Sequence, residues 1–231
     1  MNEVVWGAAA ALVGGLAGTA LPRVVAALPE RNPDSLPSYA QVAARPGLAW
    51  RLGLLAALGC GLLGWARAGQ PDLPAFVVLG VLGTAMGYID LRRHLLPDRL
   101  TVPALAAGAV LLGLAALVPG GDPATSYPRA WACAGGMLLL YLLLALVYPA
   151  GLGLGDVKLA GSLGLYLGWL GWSSALVGLF AAFLVGGLVG VVLLALRRAT
   201  RRSAVPFGPS MLLGALLAVL WAEPVAAWYL G

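Results

Sequence analysis

Eight apolar stretches, most of them as long as a membrane-spanning helix, constrain the fold of this chain more than any other feature. A helix needs roughly 20 apolar residues to cross the hydrocarbon core of a bilayer. Only 10% of the 231 residues are charged, whereas a water-soluble domain carries about 25% charged residues. We therefore predict an all-α, polytopic integral membrane protein in which residues 1–231 form a single membrane-embedded domain. The predicted spans cover 3–22, 49–66, 74–92, 101–119, 129–148, 157–171, 173–196 and 207–229.

The distribution of charged residues predicts how these spans are oriented. Basic residues are enriched in the cytoplasmic loops of membrane proteins. If the N-terminus lies outside, every Lys and Arg except Arg67 and Arg129 falls on the cytoplasmic side, so we predict an N-out, C-out topology with an even number of spans. The net charge of +5 is then explained by topology and by contact with anionic lipid, and nucleic acid is not expected as a partner. The first span contains Glu3 and has no basic residue before Arg23, so we expect it to be retained rather than cleaved as a secretory signal.

The segment 23–48 is the only sizeable part of the chain predicted to lie outside the membrane. It is rich in proline, which favours an extended or partly ordered cytoplasmic loop, and it is too short to bury a core of its own. Cys60 and Cys133 fall in apolar spans and are interpreted as buried small hydrophobic side chains. Because His94 is the only histidine, we expect no metal site.

Two aspartates lie at the ends of predicted spans, where a charged side chain is costly to remove from water and usually has a function. Asp90 closes the third span, and Asp156 precedes the sixth. Two carboxyl groups brought together can share a proton and activate a water molecule. Asp98 has a structural explanation, because it precedes a helix that it can cap, or it can pair with Arg99. Asp156 can likewise be interpreted as a helix N-cap, and on sequence alone both interpretations stay open.

Glycines surround Asp156 and recur in the third span. Gly153 and Gly155 alternate with leucine just before Asp156, a pattern that disfavours helix and permits the close approach of a substrate backbone. We therefore predict an irregular loop that lines a hydrated cleft near the cytoplasmic surface. Gly83 and Gly87 have the spacing that lets membrane helices pack closely, and we expect them to admit the helix that carries Asp156. Glycine-rich faces serve contacts within and between chains equally well, so the oligomeric state stays open.

Three motifs follow one another along the chain. They are Asp90-x7-Asp98 with Leu96-Pro97 before its second acid, Gly153-x-Gly155-Asp156-x-Lys158, and Pro206-Phe207-Gly208-Pro209. This set resembles the type IV prepilin peptidases, membrane aspartyl proteases that trim leader peptides from pilins and pseudopilins. The resemblance implies that Asp90 and Asp156 are the catalytic pair, one removing a proton from the attacking water while the other, protonated, polarises the scissile carbonyl. It also places further residues beside the active site, namely Pro97, Asp98, Gly153, Gly155 and Lys158.

The resemblance further implies a substrate and a location. The expected substrate is a prepilin or pseudopilin precursor, cut after a glycine at the boundary between a short basic leader and an apolar helix. The expected setting is the bacterial cytoplasmic (inner) membrane, with the active site toward the cytoplasm and the lipid bilayer as the second partner. Lys158 then tunes the charge of the aspartate pair, meets an acidic substrate residue that follows the cut, or anchors the chain as a cytoplasmic positive charge.

Cofactors are not expected from this sequence. Many bacterial members of the family have a longer cytoplasmic domain, whose paired Cys-x-x-Cys motifs bind zinc, and they methylate the new N-terminus with S-adenosylmethionine. The segment 23–48 contains no cysteine, so zinc is not expected. S-adenosylmethionine is expected only if the methyltransferase activity is retained.

Other functions are compatible with part of this pattern. A proton-coupled transporter or channel would use Asp90 and Asp156 as a proton relay, although such groups are expected near the bilayer centre rather than at span ends. A membrane scaffold would use the same acids only as helix caps. Within the proteases, a presenilin-like or archaellin-type enzyme is an alternative, but eight spans and the Pro-Phe-Gly-Pro motif favour the prepilin type.

Overall fold

A computed structural model describes residues 2–30, 37–119, 123–147, 152–197 and 206–230, and the regular structure of these residues is entirely helical. The helices are α1 (Glu3–Ala26), α2 (Tyr39–Ala43), α3 (Leu48–Ala66), α4 (Leu73–Arg93), α5 (Asp98–Ala116), α6 (Pro123–Val147), α7 (Leu154–Leu170), α8 (Trp172–Ala195) and α9 (Gly208–Leu230). One long helix lies in each of the eight predicted spans, and α2 is an additional short helix. The prediction of an all-α fold is therefore confirmed for the described residues.

Six helices of the described part are long and apolar enough to cross a membrane, namely α1, α3, α4, α5, α6 and α8. This confirms a polytopic membrane protein. The other two long helices have shorter apolar stretches in the described residues. Helix α7 has 17 residues and is about 26 Å long, and α9 is apolar over Gly208–Ala222. The count of eight spans and the orientation therefore stay predictions.

Helix α7 lies at the centre of the bundle. Residues 159–168 are all buried, because α5, α6, α8 and α9 pack around this helix. Burial on all sides is what a helix with no polar face requires. Asp156 lies in the first turn of α7 and Trp169 in its last turn, so the two residues are separated by about 20 Å along the helix axis.

The two basic residues that the sequence assigns to the outside lie at the Trp169 end of the bundle. Arg67 donates to both carboxylate oxygens of Asp72, at 3.1 and 2.6 Å, and the indole N–H of Trp169 donates to the same carboxylate at 2.7 Å. Arg129 donates to the last carbonyl groups of α7 at 2.8 Å. Both arginines therefore lie at the opposite end of the bundle from Asp156.

Glycines allow the closest helix contacts, as their spacing predicts. A Cβ atom at Gly14 of α1 would lie 2.6 Å from Cys60 of α3, so only glycine permits this approach. Gly83 and Gly87 of α4 face Leu212 of α9, with hypothetical Cβ atoms 3.0 and 3.5 Å from its methyl groups. The expectation that they admit the helix carrying the second aspartate is therefore wrong, because the side chain of Leu212 occupies the space above both glycines.

The segment 23–48, predicted to be extended or partly ordered, contains α2 and contacts the last turns of α4. Helix α2 begins with a capping box, in which the Ser38 hydroxyl accepts the N–H of Gln41 at 3.1 Å and the Gln41 side chain accepts the N–H of Ser38 at 2.8 Å. The hydroxyl of Tyr88 on α4 donates to the carbonyl of Val42 at 2.8 Å. This contact anchors the segment to α4 after residues 31–36, which lie outside the described residues.

An ion pair provides the second anchor of this segment. Arg93, at the end of α4, is buried and donates to the two carboxylate oxygens of Glu30 at 3.1 and 2.9 Å. Its guanidinium group also lies 3.7 Å from the centre of the Tyr39 ring, which is a close cation–π contact. We call Glu30, Tyr39 and Val42 the brace. The brace holds the turn of α4 that contains Asp90.

The ion pair between Arg93 and Glu30 makes the stability of the fold depend on pH. The hydrogen bond from Arg93, followed by that from the Tyr39 N–H, holds the pKa of Glu30 below its usual value of 4.5. A carboxyl whose pKa is lowered by folding stabilises the fold above its unfolded pKa, and this contribution is lost as the pH falls through the folded pKa. Glu30→Gln is therefore expected to lower the melting temperature at pH 7, and this difference should shrink as the pH falls below the unfolded pKa and through the lowered folded pKa. Thermal unfolding in detergent across this range measures the difference.

A double mutant provides the control. In an Arg93→Met background the carboxylate has lost its main partner, so Glu30→Gln should change the melting temperature little at any pH. A difference between wild type and Glu30→Gln that stays constant from neutral to acidic pH would contradict the role of this ion pair.

Candidate active site

Asp90 lies in the last turn of α4 and is only 4% exposed. Its Oδ2 atom accepts a hydrogen bond of 2.9 Å from the backbone N–H of Gly208, the first residue of α9. A Cβ atom at position 208 would lie 2.8 Å from the same oxygen. The carboxylate can therefore reach this backbone N–H only because residue 208 has no side chain. The Pro206–Pro209 motif thus contributes directly to the position of Asp90.

Asp156 lies in the first turn of α7 and is half-buried. Its Oδ2 atom accepts the N–H of Gly153 at 3.0 Å, an arrangement in which a carboxylate at the third helical position satisfies the amide that precedes the helix. Helix α7 begins at Leu154, so Gly155 is helical. The prediction of an irregular loop is therefore wrong from Leu154 onward, because this contact and the central position of α7 offset the low helix propensity of glycine.

Leu96 connects the two aspartate-bearing segments. It lies between α4 and α5, and a Cβ atom at Gly155 would be 2.8 Å from the Cβ atom of Leu96. A Cβ atom at Gly208 would be 3.3 Å from a methyl group of the same leucine. The backbones that hold Asp156 and Asp90 therefore pack on opposite parts of one side chain. Asp90 and Asp156 therefore lie at the same end of the bundle, and the residues that position them share Leu96 as a neighbour; their catalytic roles stay a prediction.

The remaining predicted site residues lie at the same end of the bundle. Pro97 precedes the first residue of α5, Asp98. The ammonium group of Lys158 contacts the Asp98 carboxylate at 2.6 Å, and this ion pair joins the starts of α5 and α7. Gly153 and Gly155 flank the start of α7 beside Asp156. Asp98 therefore forms its ion pair with Lys158, whereas the sequence suggested Arg99.

Tyr141 of α6 lies near the candidate site and is not among the residues that the sequence predicts there. Its side chain is completely buried, and its ring stacks on that of Phe183 with 5.7 Å between centroids. The ring of Phe207, next to Gly208, lies 6.3 Å away. A tyrosine among leucines is typical of any membrane helix, so the sequence contains no signal that distinguishes this one.

An apolar groove approaches the site from the membrane side. Its volume is about 340 Å³, and it is lined by α3, α4, α7 and α9. Gly80, Gly83 and Gly87 form part of its α4 wall, and Leu212 contributes from α9. Gly83 and Gly87 precede Asp90 by two turns and one turn, so they lie on the same side of α4. The groove therefore runs toward the Asp90 carboxylate. Among the described residues, no group of three or more His, Cys, Asp or Glu side chains has the arrangement of a metal site.

A known protein family and several known proteins are similar to this chain in sequence. Residues 75–191 match the model of the type IV leader peptidase family, a range that contains Asp90 and Asp156. The chain is 36% identical over 165 residues to the prepilin leader peptidase/N-methyltransferase of Aeromonas salmonicida (strain A449), covering 70% of this chain and 54% of that protein.

Two further relatives carry the same name. The protein of Legionella pneumophila is 32% identical over 148 residues, which cover 62% of this chain and 48% of that protein. The protein of Stutzerimonas stutzeri is 32% identical over 184 residues, covering 76% and 61% of the two chains. The chain therefore spans about half the length of the curated relatives it matches. No solved structure matches it. Because the family model covers half of the chain and includes both aspartates, the chain belongs to the type IV leader peptidase family.

Proposed function

We propose that this chain is a membrane aspartyl endopeptidase that removes the short basic leader from type IV prepilins or pseudopilins. The observation that carries the proposal is that Gly155, next to Asp156, and Gly208, which contacts Asp90, both pack against Leu96, in a chain whose residues 75–191 match the leader peptidase family. A scaffold whose acids served only as helix caps would not need two carboxylates, held by separate helices, at one end of the bundle.

The chemistry follows from two neighbouring carboxyl groups that share one proton. The ionised carboxylate takes a proton from a water molecule, whose oxygen attacks the carbonyl carbon of the scissile bond. The protonated carboxyl donates a hydrogen bond to the carbonyl oxygen while negative charge develops there. Collapse of the tetrahedral intermediate breaks the C–N bond, and the departing amine takes up the proton that the first carboxylate removed from water. The glycine N–H groups at 208 and 153 each hold one oxygen of the respective carboxylate in position.

The surroundings of the site support a substrate with an apolar segment next to the cut. The groove that leads toward Asp90 is lined almost entirely by apolar side chains and glycine, so an apolar segment that follows the scissile bond can lie along it within the bilayer. A basic leader would extend beyond the end of the bundle, into the aqueous phase. Lys158 is engaged with Asp98, which favours a role in holding the starts of α5 and α7 together.

The proposed location is the bacterial cytoplasmic membrane, with the site toward the cytoplasm and both termini outside. The division of the basic residues between the two ends of the bundle supports this orientation. In intact cells, an Arg99→Cys variant should resist a membrane-impermeant thiol reagent until the membrane is opened, while the native Cys60 and Cys133 are buried. Labelling of Arg99→Cys in sealed cells would overturn the orientation.

Two other activities are not part of the proposal. The proton-coupled transporter is not supported, because the family match identifies a peptidase family. The name of the relatives includes an N-methyltransferase, and we assign no residue of this chain to S-adenosylmethionine. Zinc likewise has no assigned ligands.

The test is cleavage of a prepilin by the purified chain. Full-length protein is reconstituted in vesicles with a type IV prepilin that carries a short basic leader, and the products are identified by mass spectrometry. Release of the leader, with a cut directly before the apolar segment, is the expected result. An intact substrate after prolonged incubation with folded protein would overturn the proposal. The mass of the new N-terminus also reveals whether a methyl group is added when S-adenosylmethionine is present.

Asp98 is expected to be dispensable for chemistry. Both Asp98 and Lys158 are more than a third exposed, and such ion pairs contribute at most about 1 kcal/mol. The rate of leader release by Asp98→Asn should therefore stay within about fivefold of wild type, and the difference should shrink at high salt. A loss as complete as that of an Asp90 or Asp156 variant would contradict this and place Asp98 among the catalytic residues.

A further inference from the structure

Among the described residues, the Tyr141 hydroxyl is one of three buried side-chain polar atoms without a hydrogen-bond partner, the others being Thr101 Oγ1 and Arg93 Nε. The Tyr141 side chain is completely enclosed. The hydroxyls of Tyr88, Tyr127 and Tyr166 each donate to a backbone carbonyl at 2.8 to 2.9 Å. Leaving a buried hydroxyl unpaired destabilises the fold, and most buried polar groups are paired for this reason. An unpaired buried hydroxyl is therefore unusual, and its position in the fold decides whether it has a function.

The packing of α6 on α7 places Tyr141 beside the second aspartate. A Cβ atom at Gly164 would lie 2.6 Å from the carbonyl oxygen of Cys133, and one at Gly161 would lie 3.1 Å from Leu138. The two helices are thus antiparallel, and continuing the same alignment brings Tyr141 to the first turn of α7.

The other side of Tyr141 faces the segment that holds the first aspartate. Its ring packs against Phe207, and the next residue, Gly208, donates its N–H to Asp90. Tyr141 therefore lies between the start of α7 and the segment that holds Asp90, with a hydroxyl that has no hydrogen-bond partner among the described residues. A donor fixed in this way can serve a charge that appears only during the reaction, and it needs no reorganisation to do so.

We propose that Tyr141 is a catalytic hydrogen-bond donor, whose hydroxyl binds the oxygen of the scissile carbonyl when the substrate lies between Asp90 and Asp156. This inference rests on the proposed peptidase function. As water adds to the carbonyl carbon, the electron pair of the C=O bond moves to the oxygen, and the water proton passes to the ionised aspartate. Tyr141 keeps its proton throughout and stabilises the oxyanion. When the C–N bond breaks, the carbonyl re-forms and the hydroxyl is released.

The test is Tyr141→Phe, which removes one oxygen atom and leaves the ring. The turnover number for leader release is expected to fall by about 100-fold, the effect of losing one oxyanion donor. The Michaelis constant should change little, because the hydrogen bond becomes strong only as negative charge develops on the carbonyl oxygen in the transition state. The melting temperature should stay equal or rise, since the variant removes an unpaired buried hydroxyl.

Tyr166→Phe is the matched control. Tyr166 is also completely buried, but its hydroxyl donates to Ala104 at 2.9 Å, so its loss should lower the melting temperature and leave turnover within about threefold of wild type. Wild-type turnover by Tyr141→Phe would overturn the inference while leaving the peptidase assignment intact. Unfolding of Tyr141→Phe would also overturn it, because the hydroxyl would then have a structural partner. Failure of the wild-type protein to cleave prepilin would instead remove the proposed function itself.

Discussion

Replacing either Asp90 or Asp156 with asparagine is expected to reduce prepilin cleavage by at least about 1000-fold. An asparagine has nearly the same shape but cannot take a proton from water, and it cannot share a proton with the other carboxyl. The remaining aspartate alone can supply a base or an acid but not both at the same step. The rate of leader release from a reconstituted prepilin, followed by mass spectrometry, measures the loss.

Three comparisons separate a loss of chemistry from a loss of structure. The melting temperatures of Asp90→Asn and Asp156→Asn should stay close to that of wild type, because each amide oxygen can still accept the glycine N–H. The double variant should be no slower than either single variant, since residues that act as one unit do not contribute additively. Asp98→Asn serves as a matched control at the same end of the bundle. Prepilin cleavage by the purified double variant would refute the aspartyl mechanism.

Local composition determines much of what the sequence predicts correctly. A membrane helix must satisfy its own backbone hydrogen bonds and must be apolar over its length, so the eight helices can be located without knowledge of their neighbours. The two aspartates interrupt this apolar pattern, and the cost of their burial marks them as candidates. The prolines and charges of 23–48 do not fit a span, so its location outside the bilayer stays a prediction from the sequence.

Contacts between distant segments are what the sequence does not reveal. Gly83 and Gly87 permit close packing against any apolar helix, so their spacing cannot indicate that α9 rather than α7 is the neighbour. The buried ion pair of Arg93 with Glu30 depends on how the loop folds back, and Arg93 alone resembles an ordinary cytoplasmic arginine. Tyr141 gains its significance only from the helices around it. In each case the residue type is compatible with several neighbours, and the packing selects one.

The second large effect is expected from Gly208→Ala, a change of one methyl group. The added Cβ atom would lie 2.8 Å from Oδ2 of Asp90 and 3.3 Å from Leu96, and the carboxylate must move away to relieve the contact. Because the end of the Asp90 side chain can rotate, the fold survives, but the hydrogen bond from the 208 N–H is weakened. A misplacement of about 1 Å in a catalytic group can lower the rate about 100-fold, so the turnover number should fall by about this amount.

Alanine substitutions at two other glycines, Gly187 and Gly164, are the controls for this prediction. Gly187→Ala on α8 places its Cβ atom in open space, with no atom within 4 Å, so cleavage should be unchanged. Gly164→Ala forces a Cβ atom to within 2.6 Å of the Cys133 carbonyl oxygen; the backbone cannot rotate away as a side chain can, so the melting temperature should fall sharply. Gly208→Ala should show the reverse pattern, with low turnover and a nearly normal melting temperature. Normal turnover by Gly208→Ala would mean that the Asp90 carboxylate works equally well from a different position, and that the contact between α4 and α9 does not set the geometry of the catalytic pair.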